Sequence, residues 1–465
     1  MPIASDALDD LRARIGDDAV VVPQGRLSAY ERPARGKGGR AEAIVRPTGI
    51  EGVRSCVRWA RTHSIRLLPQ GANSGLVGAS TPGDEREVVV VSTERLTDGL
   101  EVDVADRTAV VPAGMRLSTL NDTLEPDGLF FPIDLAADPS LGGMAATNTG
   151  GARMLRYGDV RRRVLGIEAV IADDDASVID DLSVLRKDNT GIDVSALFLG
   201  SSGALGIITR VAVDLAVRPR SRAAMLFLPA DAEAAVRLLV AVEHAASDVL
   251  SAFEVMSIEA VRSVLEEMDD VANPFGSDGV PELSILVELS GADDVDDRLL
   301  DIADAQSSTG DLTDAIVLPA AKAWDLRHRI TEALAMTGVV VGFDISVPRS
   351  ALAGFRTEAR SAVVAAFPRA TTADFGHWGD GGMHFNIVFP PGEPPSADER
   401  EELRGLVFGL AVDGHGGSYS AEHGIGPHNA SWWDRTTPPA TRATIRAVKT
   451  VFDPLGVLGH PGLPY

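Results

Sequence analysis

Cysteine is almost absent from this sequence, and Cys56 is its only representative. A lone thiol excludes an internal disulfide and fits a reducing compartment, so we expect a cytoplasmic protein. Long apolar runs are also missing, since none approaches the roughly 18 residues that a membrane span needs. Residues 1–16 carry Asp where a signal peptide has basic residues, and they contain no apolar core. We therefore expect neither a signal peptide nor a transmembrane segment.

Basic residues are too few to balance the acidic ones: 43 Lys and Arg stand against 67 Asp and Glu, a formal net charge of −24. This charge argues against nucleic acid or an anionic membrane as a partner. A hydrophobic content of 45% is ordinary for a globular protein. With 465 residues the chain is too long for one core and long enough for two or three domains.

Residues 69–80, PQGANSGLVGAS, follow the apolar pair Leu67-Leu68 and are predicted to form the loop that leaves a short strand. A glycine-rich loop can turn several N–H groups toward one point and so hold a diphosphate without lysines. The spacing is not the G-x-G-x-x-G of a dinucleotide-binding turn, and no G-K-[ST] follows, so the NAD and P-loop interpretations are both weak. Taken alone, the stretch is equally well explained as an ordinary glycine-rich surface loop.

A second glycine-rich tract lies at residues 131–151, FPIDLAADPSLGGMAATNTGG. Together the two tracts resemble the flavin-binding half of the vanillyl-alcohol-oxidase-type FAD proteins. Residues 155–158, 164–168 and 200–209 match the same family in order and spacing. The chain is most similar to the D-2-hydroxyacid dehydrogenase branch, which includes D-2-hydroxyglutarate, D-lactate and glycolate enzymes. The resemblance covers roughly residues 40 to 465.

The resemblance implies an α+β protein with a two-subdomain PCMH-type FAD-binding domain. An α+β substrate (cap) domain with a large antiparallel sheet follows, and a C-terminal helical segment returns to the FAD domain. The predicted parts are an N-terminal helix and arm (1–39), the FAD-binding domain (40–218), the substrate domain with the metal site (219–430) and the C-terminal segment (431–465). Within the substrate domain the periodicity predicts one long helix over residues 319–335.

The resemblance also implies bound FAD, held by positions in the glycine-rich tracts. These positions are Pro69, Gln70, Gly71, Ala72, Asn73, Ser74, Gly75, Pro132, Ser140, Gly143, Thr147, Asn148, Gly150, Gly151, Gly203, Gly206 and Ile207. Family members that tether the flavin through the first loop place a His about where Asn73 stands. Because neither His nor Cys occurs between Ser64 and Glu243, we expect FAD to be bound non-covalently.

A different pattern stands in the second half, at residues 376–386, GHWGDGGMHFN, where His377 and His384 flank a tight turn. The spacing is not the i, i+4 arrangement of a helical zinc site; it suits two paired strands with both imidazoles pointing at one spot. With Glu422, further along the chain, they would make an open, catalytic divalent-metal site. The simpler alternative is a hairpin whose histidines bind nothing, with Asp380 holding the turn.

The resemblance favours the metal site. In it, His377, His384 and Glu422 match the family's metal ligands, with zinc as the first choice and manganese as the second. His423 matches the general base, a role that suits an imidazole that is neutral near pH 7.

Four further residues match positions of the family's substrate domain. Asn386 matches an asparagine that contacts substrate, and Arg327 and Thr331 match residues that hold the substrate carboxylate. The spacing of four puts the last two on one face of the predicted helix. Without the match, Arg327 would be interpreted as a solvated helix charge. Glu254 matches a recurrent motif but receives no role, its simpler explanation being an acid at the end of a strand.

The implied reaction is the oxidation of a 2-hydroxy acid, expected to be D-configured, by hydride transfer to flavin N5. The metal assists substrate binding, and His423 takes the hydroxyl proton. The electron acceptor that reoxidises the flavin stays unidentified, and the oligomeric state stays open, a homodimer included. Two alternatives also stay open: another reaction on the same fold, such as that of an ether-lipid synthase, and a flavoprotein that only transfers electrons or binds a partner.

Several positions depart from the family's pattern. The family often has Lys where Gly342 stands, before the D-I-S-V-P segment, and another Lys at Asn429. The acid of its G-S-E-G is Ser202 here, and the first residue of its N-P-G is His460. These departures leave the fold and flavin assignments in place and weaken the assignment of a particular substrate.

Overall fold

The structure, a computed structural model, describes residues 3–83, 88–277 and 279–465. The chain divides into two units. The first contains the chain up to Gly150 together with Gly158–Arg218 and His423–Tyr465, and the second contains Gly151–Tyr157 and Pro219–Glu422. Residues 423–430, which the sequence assigned to the substrate domain, therefore belong to the first unit.

The first unit contains short strands in two sheets and a two-stranded ribbon. The strands are β1 (Val20–Val21), β2 (Ala43–Val45), β3 (Arg66–Gln70), β4 (Val88–Ser92), β5 (Glu101–Asp103), β6 (Thr108–Pro112), β7 (Leu129–Phe130), β8 (Val164–Val170), β9 (Val178–Asp181), β10 (Ile207–Asp214) and β11 (Ala216–Val217). One sheet has the order β1-β2-β4-β3, the other has the order β5-β6-β10-β8-β9, and β7 pairs with β11.

The two sheets differ in the direction of their strands for a reason visible in the sequence. In the smaller sheet, β4 pairs in parallel with β2 and β3, and its valine run is buried along its whole length. The larger sheet is antiparallel throughout. Helices cover both sheets, and they span Ser5–Ile15, Ile50–His63, Leu117–Leu124, Leu141–Thr147, Val160–Arg163, Ala430–Thr436 and Pro439–Phe452.

The C-terminal segment packs onto the first unit beside β3. The backbone N–H of Leu67 donates to the carbonyl of Val457 at 2.7 Å, and that of Gly459 donates to the carbonyl of Leu67 at 2.9 Å. Lys449, on the last helix, donates to the carbonyls of Ala204 and Leu458 at 2.6 and 2.9 Å. The predicted C-terminal helical return is therefore confirmed.

The second unit is built on one seven-stranded sheet in which every pairing is antiparallel. Its strands are β12 (Ser221–Pro229), β13 (Leu250–Ser257), β14 (Leu283–Gly291), β15 (Leu312–Val317), β16 (Val339–Ser346), β17 (Thr371–Gly376) and β18 (Gly382–Phe389), in the order β15-β12-β14-β13-β17-β18-β16. Its helices span Met154–Tyr157, Ala232–Ala246, Ile258–Glu267, Asp296–Ser307, Ala320–His328, Ile330–Thr337, Leu352–Ala366 and Ala397–Gly409. The predicted large antiparallel sheet is confirmed.

The register of this sheet brings the polar candidates onto one face. Residues directly opposite each other, and alternate residues along one strand, share a face. Glu254 therefore shares a face with Met256, which is opposite Phe375; Phe375 is opposite His384, and His384 is opposite Asp344. The apolar members of this face form the core with the helices Ala320–His328 and Ile330–Thr337.

The predicted continuous helix over residues 319–335 is wrong. The structure has two helices, Ala320–His328 and Ile330–Thr337, and Arg329 separates them with φ −81° and ψ −10°. The periodicity did not reveal the break because both helices bury apolar residues against the same sheet, Leu326 on one and Ile330 on the other.

Candidate active site

The first unit contains three glycine-rich tracts that approach one another closely: the one after β3 (69–80), a middle tract (131–150) and a third tract (200–209). A Cβ added at Gly71 would stand 2.3 Å from Ser140 Oγ, and one added at Gly203 would stand 3.0 Å from the ring of Pro69. Gly203 also has a left-handed backbone, with φ +75°. These contacts need glycine and join the tract after β3 to the other two tracts.

The middle tract forms a short helix, Leu141–Thr147, whose ends are held by predicted flavin-binding residues. Ser140 Oγ accepts from the Gly143 backbone N–H at 3.4 Å, and Thr147 Oγ1 donates to the Gly143 carbonyl at 2.9 Å. Asn148 ends the helix in the left-handed region with φ 48°, and its side chain bonds to the start of the helix Val160–Arg163. The hydrogen bonds of these side chains therefore stabilise the conformation of the middle tract.

Asn73 has the same kind of structural role in the first tract. Its backbone is left-handed, with φ 55°. Its side-chain N–H groups donate to the carbonyls of Ala29 and Arg32 at 3.0 and 2.8 Å. Asn73 thus ties the loop to the chain before β2.

The remaining predicted flavin positions lie in or beside the same three tracts. Gly206 packs under Phe198, since an added Cβ would stand 2.7 Å from that ring, and Ile207 begins β10. Gly150 ends one segment of the first unit, whereas Gly151 begins the first segment of the second. Gln70 is the last residue of β3, and Pro132 lies at the start of the middle tract. The others lie in the loop after β3: Ala72, Ser74 and Gly75.

Two buried polar atoms of these tracts lack a hydrogen-bond partner among the described residues: Gln70 Oε1 and Ser201 Oγ. Buried polar atoms in native structures are nearly always paired. FAD carries both donors and acceptors and could pair such atoms, and the close main-chain approach of the tracts suits its diphosphate. The residues present therefore fit FAD.

The candidate metal ligands of the second unit lie around the turn between β17 and β18. The carbonyl of His377 accepts from the backbone N–H groups of Asp380 and Gly382, both at 3.1 Å. Asp380 Oδ1 also accepts from the Gly382 N–H at 2.9 Å and so holds the turn. His384 follows on β18, opposite Phe375.

Both histidines direct the same ring nitrogen toward one carboxylate oxygen. Glu422 Oε1 is 3.9 Å from His377 Nε2 and 3.7 Å from His384 Nε2. The two imidazole centroids are 5.2 Å apart. These separations are too long for hydrogen bonds. Two imidazole nitrogens and a carboxylate oxygen are a donor set that suits zinc or manganese, so these residues could hold such a cation.

A second carboxylate stands at the other nitrogen of each ring. Glu254 Oε1 is 2.6 Å from His377 Nδ1, and Asp344 Oδ1 is 3.6 Å from His384 Nδ1. At 2.6 Å the Glu254 carboxylate fixes the proton of His377 on Nδ1 and leaves its Nε2 to bind a metal. Asp344 is beyond hydrogen-bond distance of His384 Nδ1.

Electrostatics at Glu254 follow from this pairing. Burial would raise the pKa of Glu254, but the charges of His377 and Arg327 outweigh it and lower the pKa to about 2. Burial likewise opposes a charged His377, but the Glu254 carboxylate raises the pKa of that imidazole to about 9. Glu254 is therefore ionised at neutral pH, and a metal ion at His377 would compete with a proton.

Asp344 also attaches Glu422 to the sheet. Asp344 Oδ2 accepts from the Glu422 backbone N–H at 2.9 Å, and the Asp344 carbonyl accepts from the Ala421 N–H at 3.2 Å. The predicted base, His423, directly follows Glu422 in the chain and begins the last segment of the first unit.

The structure separates the two residues predicted to hold the substrate carboxylate. Arg327 is buried in the last turn of its helix, where its Nε donates to Glu254 Oε2 at 2.7 Å. Thr331 is exposed in the next helix, after the break at Arg329. Asn386 is buried and donates to the carbonyls of Ala373 and His384, both at 3.3 Å. Their roles toward a substrate stay predictions.

Two family models match successive parts of this chain. Residues 41–178 match the model of the FAD binding domain, and residues 218–461 match that of the C-terminal domain of FAD linked oxidases. The D-2-hydroxyglutarate dehydrogenase of Stutzerimonas stutzeri is 30% identical over 98% of this chain and 98% of its own. The mitochondrial D-2-hydroxyglutarate dehydrogenase of Arabidopsis thaliana is 32% identical over 90% of this chain and 74% of its own.

The chain belongs to the FAD-linked D-2-hydroxyacid dehydrogenase family.

Two solved structures show the same fold. p-Cresol methylhydroxylase superposes with a TM-score of 0.73 at 16% identity, over 99% of this chain and 96% of its own. An alkyldihydroxyacetonephosphate synthase superposes with a TM-score of 0.74 at 18% identity, over 98% of this chain and 85% of its own. The predicted family, the PCMH-type FAD-binding fold and the flavin cofactor are confirmed, and this dehydrogenase-family protein is an FAD-dependent oxidoreductase. Within the part of this chain that the structure describes, no helix is both long enough and apolar enough to cross a membrane.

Sequence reasoning missed two carboxylates of this dehydrogenase-family site. Asp344 begins the D-I-S-V-P segment, which served in the sequence analysis only to locate Gly342 relative to the family's lysine. Glu254 was noticed in a motif but received no role. The usable signal was a charged residue inside an otherwise apolar strand, because a buried carboxylate needs partners. The sequence does not say which partners those are.

The departures from the family's pattern lie in different places. Gly342 is exposed on β16, directly opposite Asn386, while Phe343 is buried against Phe408. Ser202 has φ 52° and its backbone N–H donates to the Ala146 carbonyl. Gly342 therefore shares the face of Asn386, His384 and Asp344, whereas Ser202 belongs to the flavin tracts.

The last two departures are in the C-terminal segment. His460 is buried, and its Nδ1 accepts from the Gly462 N–H at 2.9 Å, which closes the turn at the position where the family's pattern has Asn. Asn429 ends a short 3₁₀ turn, Pro427–Asn429. Neither replacement changes the fold.

Proposed function

We propose that this protein oxidises a D-2-hydroxy acid to the 2-oxo acid, with FAD as the electron acceptor and a divalent metal held by His377, His384 and Glu422. The observation that carries the proposal is the approach of both Nε2 atoms to Glu422 Oε1, at 3.9 and 3.7 Å. The relatives named D-2-hydroxyglutarate dehydrogenases support the same reaction class.

The residues of the chain supply binding, orientation and proton transfer. Bound FAD supplies a two-electron acceptor, and a metal would supply a Lewis acid. Arg327 keeps its terminal N–H groups for the substrate carboxylate, since Glu254 takes Nε. Asn386, on the same sheet face as His384, contacts the substrate, and Thr331 assists Arg327. His423, as the general base, removes the hydroxyl proton.

The substrate class follows from Gly342, which stands opposite Asn386 where the family often has a lysine. A missing cation disfavours a second carboxylate on the substrate, and the missing side chain leaves space. We therefore propose a 2-hydroxy acid with a larger, uncharged side chain in preference to D-2-hydroxyglutarate, the acid in the names of the relatives. A cytoplasmic location is proposed as well, on the sequence alone.

Anaerobic reduction of the flavin tests the proposal. The FAD-loaded protein is mixed with each member of a panel of D- and L-2-hydroxy acids, and the flavin absorbance is followed. Bleaching by D-2-hydroxy acids alone is the expected result. If no member of the panel reduces the flavin while dithionite does, the proposal is wrong, and another reaction on this fold or a purely electron-transferring role takes its place.

A further inference from the structure

Glu254 contacts both a proposed metal ligand, His377, and the proposed substrate-binding residue Arg327. The residue lies on β13 and is 1% exposed. Its Oε1 stands 2.6 Å from His377 Nδ1, and its Oε2 accepts from Arg327 Nε at 2.7 Å. One carboxylate therefore binds a proposed metal ligand with one oxygen and the proposed holder of the substrate carboxylate with the other.

We infer that Glu254 is a positioning residue that links metal binding to substrate binding; this rests on the proposed function. An ionised carboxylate can only accept hydrogen bonds, so His377 must carry its proton on Nδ1. When His377 gives up its second proton to a metal, the lone pair of Nε2 is directed toward Glu422. On the other side, the bond to Nε sets the rotation of the Arg327 guanidinium, which lies 4.6 Å from the centroid of Phe375. Within the described ranges, the hydrogen bond of Arg327 to Glu254 uses Nε alone, so its terminal N–H groups can bind a carboxylate.

The competing explanation is a purely structural ion pair that attaches a helix to the sheet. Glu288, on the adjacent strand β14, forms such an ion pair with Arg153. It lies on the same face of the sheet as Glu254. Glu288 is 0% exposed, lies 3.1 Å from Arg153 Nε, and accepts from Trp324 Nε1 at 2.7 Å. Among the described residues, the side-chain partners of Glu288 are Arg153, Ser251 and Trp324 and include no histidine, so the same substitution at Glu288 is a matched control.

The experiment measures Zn²⁺ affinity in the FAD-loaded protein, by competition with a chromophoric chelator, for wild type, E254Q and E288Q. Glutamine keeps the shape of glutamate but brings an N–H₂ group. If this group donates to His377 Nδ1, the imidazole proton moves to Nε2, the nitrogen needed by the metal. We expect E254Q to bind Zn²⁺ about 10- to 100-fold more weakly and to show a higher KM for the 2-hydroxy acid at saturating Zn²⁺. E288Q should keep the wild-type Zn²⁺ affinity.

A charge-balanced variant covers the case in which E254Q does not fold, since an unpaired buried Arg327 is destabilising. E254Q/R327M removes both charges of the pair, and its Zn²⁺ affinity should still be weakened, because His377 still lacks its carboxylate. Wild-type Zn²⁺ affinity in E254Q or in the double variant, beside a wild type that turns over, would overturn the inference and leave the proposed function standing. An equal loss in E288Q would also overturn it. A wild type that binds neither Zn²⁺ nor Mn²⁺ would overturn both.

Discussion

His384 on β18 stands directly opposite Asp344 on β16, and its Nδ1 lies 3.6 Å from Asp344 Oδ1. Asp344 also accepts from the backbone N–H of Glu422. A single strand pairing therefore determines both the environment of one candidate ligand and the attachment of another. Interchanging the faces of β16 by a one-residue slip would remove Asp344 from both partners.

Removal of one ligand tests the metal centre. His384→Ala is expected to lower kcat by about 100-fold or more, since a Lewis acid contributes several kcal/mol, while the flavin spectrum stays nearly intact. His415→Ala is the control, because His415 lies in the same unit and pairs with Glu358. Activity and metal content are measured together, and full activity in a wild-type preparation shown to be metal-free would contradict the prediction.

The flavin should leave the protein on denaturation. Neither His nor Cys occurs between Ser64 and Glu243, and Asn73 stands where a tethering His would be, with its N–H groups donating to two carbonyls. The measurement is denaturation followed by filtration, with absorbance read in both fractions. Yellow colour that stays with the denatured chain would show the prediction to be wrong.

Gly342→Lys should shift the substrate preference toward D-2-hydroxyglutarate. A charge-assisted hydrogen bond to a carboxylate is worth about 1.5–3 kcal/mol, which corresponds to roughly 10- to 150-fold in kcat/KM. Arg329 cannot replace this cation, because it bonds to Asp270. The control is Gly405→Lys, at a helix position where an added Cβ meets nothing within 4 Å. A wild type that already prefers D-2-hydroxyglutarate, with a KM near the low end of the usual range of roughly 1 μM to 1 mM, would contradict this prediction.

Lys449 should matter for flavin retention although it lies on the last helix. Its Nζ donates to the carbonyl of Ala204, inside the third glycine-rich tract, and to Asp453 Oδ2 at 2.6 Å. Lys449→Met removes the cation beside the buried Asp453 carboxylate, which keeps hydrogen bonds from the backbone N–H groups of Val457 and Leu458. Loss of one partner of a buried ion pair typically destabilises by about 3–5 kcal/mol. FAD release in a urea titration should therefore begin at a lower urea concentration. Lys322→Met, at an exposed lysine, should behave like wild type, and an unchanged release curve for Lys449→Met would disprove the expectation.

Local patterns predicted much of this architecture because they depend on chemistry that acts over a few residues. Gly71 closely approaches Ser140, and Gly203 has a left-handed backbone that favours glycine. The turn between His377 and His384 is closed by its own backbone and by Asp380. The helix break at Arg329 escaped prediction because the apolar spacing continues across it, so periodicity alone could not distinguish one helix from two.

The sequence by itself determined the family, the flavin tracts, and the histidine pair with Glu422 as candidate ligands. Only the tertiary structure decided that Glu254 faces His377 and Arg327 together, and that Asp344 faces His384. The reason is that both arrangements depend on the order and register of strands far apart in the chain. The sequence of one strand shows which of its side chains share a face. Its pairing with the neighbouring strand decides which side chain stands opposite each of them.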